Sequence, residues 1–213
     1  MPAAADQNPG DENGLLARIP EEEIVRRLEA VCLQTFQGHP HPPGPVLRPA
    51  AVLVPLLWCQ EQWHLLYTRR TETVQSHKGQ VSFPGGAVDP EDRSPEETAL
   101  REAHEEIGLA PGDVRVLGRL PALATNSYYL VTPVVACIRW PYPFNPSPKE
   151  VSRVFTMPLA WLGNRSHWEE RRRTNRLGYE EDVVYYQCYD GETLWGVTGR
   201  ITVEFLQILS AGF

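Results

Sequence analysis

Apolar and polar positions divide the chain into three stretches. Up to residue 19, Ala, Pro, Gly, Asn and Asp dominate and large apolar side chains are few. Such a segment buries too little surface to offset its chain entropy and is expected to be a disordered tail. Glu21, Glu22 and Glu23 then mark the start of a helix, with acids at the positive end of its dipole. Ile24, Val25, Leu28, Val31 and Cys32 follow at one-face spacing. Five prolines between Gly38 and Pro49 exclude a helix or a central strand there. Residues 20–49 are therefore expected to form a helix and a Pro-rich linker, and residues 50–213 the main domain.

In that domain Ala50 to Leu57 predicts a buried strand, with Trp63 to Thr68 as its hairpin partner across Gln60-Glu61-Gln62. Val81-Ser82-Phe83 predicts a short strand ending at Pro84-Gly85-Gly86. A helix is expected from Pro95 to Ile107. Further strands are expected at Val114 to Leu120, Leu130 to Ile138 and Val183 to Tyr189, the last followed by an Asp190-Gly191 turn. A final helix is expected near Thr198 to Leu209. Strands, helix, strands, helix suggests a mixed sheet with helices on both faces.

Composition narrows the function classes. The chain has 213 residues and a net charge of -7. About four of those negative charges lie in the first thirty residues, where seven acids face three bases. Nucleic acid and anionic membrane both need a basic face, which this chain lacks. No run approaches the roughly 18 apolar residues of a membrane span. The four cysteines (Cys32, Cys59, Cys137, Cys188) show no zinc or redox spacing. Reduced, mostly buried thiols in a cytoplasmic protein are expected.

The segment from Ser94 to Leu109 carries the chemistry. Ser94 is the expected N-cap, Pro95 takes the first helical position, and Glu97 completes a capping box. Gly108 is placed to end the helix in a left-handed conformation. Leu100, Ala103 and Ile107 form the stripe that packs on the sheet. Glu102, Glu105 and Glu106 share another face, where like charges cost roughly 0.2–0.5 kcal/mol per pair. Two readings stand: a solvated acidic face, or a site for a hard cation such as Mg²⁺. Arg101 lies one turn from both Glu97 and Glu105 and can clamp either. Two glycines just upstream, at 85 and 86, let backbone approach a ligand closely.

At Arg101-Glu102, Glu105-Glu106 and Gly108-Leu109 the chain resembles the Nudix hydrolases, whose box is G-x5-E-x7-R-E-U-x-E-E-x-G-U, with U bulky and apolar. Gly86 fits the box with a one-residue insertion. Arg93 stands where the box has glutamate, and Asp92 or Glu91 can substitute. The resemblance implies an α/β/α sandwich around a mixed sheet, with an added N-terminal helix. It also implies Mg²⁺ or Mn²⁺ at Glu102, Glu105, Glu106 and the Gly86 backbone.

The segment Leu65 to Gly86 is similar to the coenzyme A diphosphatase signature L-L-x-T-x-R-S-x3-R-x3-G-x3-F-P-G-G. Thr68, Arg70, Gly79 and Phe83-Pro84-Gly85-Gly86 align, while Thr71 and Gln75 replace the usual Ser and second Arg. This implies hydrolysis of coenzyme A or its derivatives to 3′,5′-ADP and a 4′-phosphopantetheine fragment. Expected catalytic residues are Glu105, Arg101 and Glu150. Expected substrate contacts are Arg69, Arg70, His77, Lys78, Gly79, Phe83 and Gly85. Gln75 keeps ADP-ribose, NADH or a nucleoside triphosphate open as substrates, and a silent nucleotide-binding domain is the alternative in kind. The partner is a small nucleotide rather than nucleic acid or membrane, and monomer and homodimer both stay open. Arg171-Arg172-Arg173 beside Glu169 and Glu170 suggests a self-neutralised loop. Trp195 is expected to pack, and His104 to point away from the glutamates.

Overall fold

The computed structural model describes residues 14–35, 46–72, 78–174 and 180–211, of which residues 32–35 are described by their backbone only. The elements run α1 (Glu21–Thr35), β1 (Arg48–Cys59), β2 (Gln62–Arg70), β3 (Val81–Ser82), β4 (Gly85–Ala87) and α2 (Pro95–Ile107). Then come β5 (Val114–Arg119), β6 (Leu123–Ala124), β7 (Tyr129–Ile138), β8 (Val151–Pro158) and the short α3 (Leu159–Leu162). A hairpin of β9 (Trp168–Thr174) and β10 (Glu180–Tyr186) precedes α4 (Gly196–Ser210).

β1 is central because its apolar run suits burial on both faces. It pairs in parallel with β7, and β7 pairs antiparallel with β5. Along its other edge β1 meets β4 through Ala50–Val52 and β2 through Leu56–Cys59. Pro55 falls between these two pairings, where a missing N–H leaves no ladder bond unmade. β8 covers the outer edge of β2. Mixed pairing with helices on both faces is the α/β arrangement expected from the element order.

Alternate residues of β1 feed two cores. Ala51, Leu53 and Leu57 pack with Leu66, Val134 and with Ala99, Ala103 and Ile107 of α2. Val54 and Leu56 face the other way, with Leu65, Tyr67 and Val135, under Ile24 and Leu28 of α1 and Ile201 and Phe205 of α4. Arg27 of α1 donates to the Leu209 carbonyl of α4, a cation at a helix C-terminus.

Three expectations change. Residues 14–17 are helical, and Leu16, Ala17 and Ile19 are buried, so the ordered protein begins before residue 20. These few apolar side chains find partners on α4 and β2, and the Ile19 carbonyl accepts from the Trp63 indole at 2.8 Å. The arginine-rich segment is a strand rather than a loop: β9 pairs with β10 throughout, and Arg172 faces Asp182 across the ladder. Its neutralisation is as read, with Arg171 on Glu169 and Arg172 near Glu180 and Asp182. Cys59 and Cys137 are only half-buried and Cys188 is exposed; these three are free thiols.

Candidate active site

α2 is fixed at both ends. Ser94 accepts from the Glu97 N–H at 3.2 Å. The Glu97 carboxylate reaches back one residue further than a capping box requires, to the Arg93 N–H at 2.7 Å. Gly108 adopts φ 69° and closes the last turn onto the Ala103 and His104 carbonyls. The carbonyls of Glu106 and Ile107 accept from Ser147 and Asn145 at 2.8 and 2.9 Å. The segment leading to Glu150 is thereby tied to the helix. Ala99 and Ala103 bring α2 close to β1, and Leu100 is only partly buried beside them.

That closeness drives Glu106 into the protein. It is 3% exposed, with Arg70 Nη1 3.6 Å from one carboxylate oxygen. The other oxygen is buried without a hydrogen-bond partner, as is Arg70 Nε. Burial, offset in part by Arg70 and by the Gly85 N–H, and reinforced by Glu102 and Glu150, pushes the Glu106 carboxyl up to about 8. Glu102 is raised too, by burial first, against the pull of Arg101 and with Glu105 and Glu150 adding repulsion. Glu105 projects outward, its side chain 57% exposed. Four carboxylates from α2 and the segment before β8 thus act on one region.

Arg101 organises the outer side. Its guanidinium donates to both oxygens of Asp92, at 3.2 and 2.9 Å, and to the Ala87 carbonyl at 3.1 Å. It also reaches Glu102 at 3.0 Å and Glu105 at 3.5 Å. Asp92 further accepts from Thr98 and from the Asp89 N–H, both at 2.9 Å. The Arg101 hydrogen bonds hold the Asp92 carboxyl well below the usual range. Of the two acids offered as stand-ins for the box glutamate, Asp92 therefore anchors Arg101. Glu97, the other suggested clamp partner, is engaged by the backbone instead.

Gly85 and Gly86, at the start of β4, lie against these acids. Gly85 has φ 156°, and a Cβ there would fall 2.4 Å from the Ala51 carbonyl oxygen. A Cβ on Gly86 would fall 2.4 Å from a Glu102 oxygen. At Gly85 the β1 backbone leaves room only for glycine, and at Gly86 the bare backbone runs against the Glu102 carboxylate. Among the described residues no group of three Asp, Glu, His or Cys side chains is placed to hold a metal ion by itself. The donors still fit a hard divalent cation. Glu106 offers an unused buried oxygen, the Glu102 carboxylate is disfavoured by burial and then by its acidic neighbours, and Mg²⁺ needs few carboxylates when waters and phosphates complete its shell.

Other candidates separate. Arg69 points elsewhere than Arg70, at 3.5 Å from the buried Glu192 and 3.7 Å from Glu72. Lys78 and Glu150 are exposed. Gly79 has φ 63° with Glu72 packed against it. Phe83 is corrected from substrate contact to core: it is 3% exposed and stacks on Tyr67 at 4.7 Å. Thr68 bonds Ser82 at 3.2 Å and pins β2 to β3. His104 is exposed, away from the buried acids. His77 lies outside the described residues. The Arg70–Glu106 and Arg101–Asp92 pairs were hidden in the sequence, since they depend on how β2 and the loop before α2 meet the helix.

The NUDIX domain family model matches residues 47–177, more than half of the chain. This protein belongs to the Nudix hydrolases. It is 39% identical over 160 residues to an uncharacterized Nudix hydrolase NudL of Photorhabdus laumondii, covering 75% of this chain and 84% of that one. The NudL of Pectobacterium atrosepticum is 44% identical over 156 residues, covering 72% and 79%. Among solved structures, the Nudix hydrolase RenU of M. smegmatis aligns with TM-score 0.44 and 24% identity, over 52% of this chain and 70% of that one. A C. elegans Ap4A hydrolase aligns with TM-score 0.45 and 20% identity, over 51% and 79%. As a Nudix enzyme the chain is a hydrolase of nucleoside diphosphate derivatives, and α2 is its Nudix helix. No helix among the described residues is long and apolar enough to cross a membrane.

Proposed function

We propose that this Nudix hydrolase cleaves the diphosphate of coenzyme A or a derivative in the cytoplasm, giving 3′,5′-ADP and a 4′-phosphopantetheine fragment. The observation that carries the reaction is the buried, half-unpartnered Glu106 carboxylate beside Glu102 and the Gly85-Gly86 backbone. The choice of coenzyme A rests on the signature from Leu65 to Gly86. Glu102, Glu105, Glu106 and the Gly86 carbonyl would hold Mg²⁺ or Mn²⁺, which when bound neutralises diphosphate charge and acidifies water.

The chain's own groups do the rest. Arg101, braced by Asp92 and Ala87, steadies Glu102 and Glu105. Exposed Glu105 accepts the proton of the attacking water, with Glu150 as the second candidate base. Water oxygen bonds to one phosphorus as the bridging P–O bond breaks, and the bridging oxygen leaves with its electron pair. Arg70 balances Glu106, while Arg69, Lys78 and the Gly79 and Gly85 backbone face the phosphates.

Separate incubations with coenzyme A, ADP-ribose and NADH, each with Mg²⁺ or Mn²⁺ and read by mass spectrometry, test this. The expected result is metal-dependent 3′,5′-ADP from coenzyme A. Cleavage of only the other two would replace the substrate and keep the reaction.

A further inference from the structure

A cleft of about 430 Å³ opens beside Arg69 and shares Arg69 and Gly79 with the phosphate-facing groups above. Its volume suits a small-molecule site. Arg69, Gly79, Arg173, Tyr185, Glu192 and Trp195 are among its walls. Trp195 is 36% exposed, with its ring 8° from parallel to Tyr185 and centroids 5.9 Å apart. The Arg171 and Arg173 guanidinium groups lie over Tyr185, 4.8 and 5.2 Å from its centroid. The Tyr185 hydroxyl is buried without a hydrogen-bond partner.

The cleft is rigidly joined to the Nudix helix. Glu192 is a buried wall, held by Arg69 at 3.5 Å and Arg153 at 3.1 Å. The Thr198 hydroxyl donates to the Val81 carbonyl at 3.1 Å, fixing the start of α4, and Trp195 with it, to β3. A few residues further on, the same strand leads to Gly85, which touches Glu106. Arg69 and Arg70, adjacent on β2, serve the cleft and the carboxylates respectively.

We propose that this cleft receives the heterocyclic base of the nucleotide half of the substrate, stacked on Trp195 with Arg173 beside it. Both residues then determine specificity without touching the reacting phosphorus. A flat indole backed by a second ring and flanked by guanidinium groups suits a planar base. A flexible pantetheine arm gains nothing particular from such a platform. The inference rests on the nucleoside diphosphate reading, and direct binding separates the two.

The test is calorimetry on the full chain with adenosine 3′,5′-diphosphate and with 4′-phosphopantetheine. Trp195→Ala weakens the nucleotide at least tenfold, the scale of one base–aromatic stack. It leaves 4′-phosphopantetheine affinity unchanged, and Trp195→Phe restores the nucleotide to within threefold. Arg173→Ala, an exposed change that spares the fold, weakens the nucleotide severalfold. With coenzyme A, Trp195→Ala raises KM tenfold and lowers kcat less than threefold. Equal nucleotide affinity in wild type and Trp195→Ala, or equal loss of both ligands, overturns the proposal. Trp195-dependent nucleotide binding with no diphosphate cleaved would sink the hydrolase reading and keep this one.

Discussion

α2 and α4 lie on opposite faces of one sheet and are built for different work. α4 buries Ile201, Val203, Phe205, Leu206 and Leu209, and its buried Thr202 meets the Tyr67 hydroxyl at 3.0 Å. Apart from one unpartnered oxygen of the partly buried Glu204, what it places inside is apolar or satisfied. α2 places alanines against the sheet, and with them the carboxylate of Glu106. Small side chains bring the helix near, and nearness forces a charge out of water. One layer supplies stability, while the other accepts electrostatic cost to hold a reactive arrangement.

If that division is right, mutations should separate activity from stability. Glu106→Gln has the largest expected effect on activity, a loss of turnover of at least 100-fold, measured as kcat on the cleaved diphosphate. Its unfolding free energy should stay within about 1 kcal/mol of wild type, because an acid raised by burial loses little when neutralised. Near-wild-type turnover would end the assignment of this carboxylate. Phe205→Ala should do the reverse, costing about 3–5 kcal/mol in urea unfolding with little change in kcat per folded molecule. A large fall in kcat there would show that α4 shapes the reaction directly.

Arg101→Lys sharpens the contrast within α2. Lysine cannot reproduce the two-pronged hold on Asp92, so kcat should fall about 10- to 100-fold while secondary structure by circular dichroism persists. Asp92 also gives a pH test. Its folded pKa is depressed by Arg101, so it contributes stability above the unfolded value of about 3.9 and loses it as pH falls through the lower folded value. The Tm gap between wild type and Asp92→Asn should therefore shrink from pH 5 towards pH 2. A constant gap would mean that the charge is not what Asp92 contributes. The smallest effect is expected on the hairpin: Arg172→Ala, at a side chain 69% exposed, should change stability by less than about 0.5 kcal/mol.

How much of this could be read in advance depended on whether the signal was local. Ser94, Pro95 and Gly108 are start and stop signals within one segment, and α2 begins and ends where they place it. Asp190 and Gly191 both take positive φ, 50° and 81°, as a two-residue turn there requires. β9 left no such mark. Its residues from Glu169 to Thr174 are exposed, so no apolar alternation announces a strand, and only pairing with β10 creates it. The partition of the acids was equally hidden. Glu105 and Glu106 are neighbours in sequence, yet one is exposed and the other buried, decided by the close packing of α2 on β1. Phe83 misled because a signature residue beside a glycine turn can act from the core as readily as from the site.

The double contribution of α1 and α4 to one core has a practical consequence for dissection. The span matched by the family model, residues 47–177, ends before α4 and begins after α1. Excised alone, it would keep the Nudix helix and its carboxylates but bare the sheet face that Ile24, Leu28, Ile201 and Phe205 cover. The span that the family model matches and the unit that folds are therefore different lengths of chain. A fragment cut at the family boundaries should aggregate or bind a hydrophobic dye, whereas one spanning residues 14–211 should behave as the intact protein.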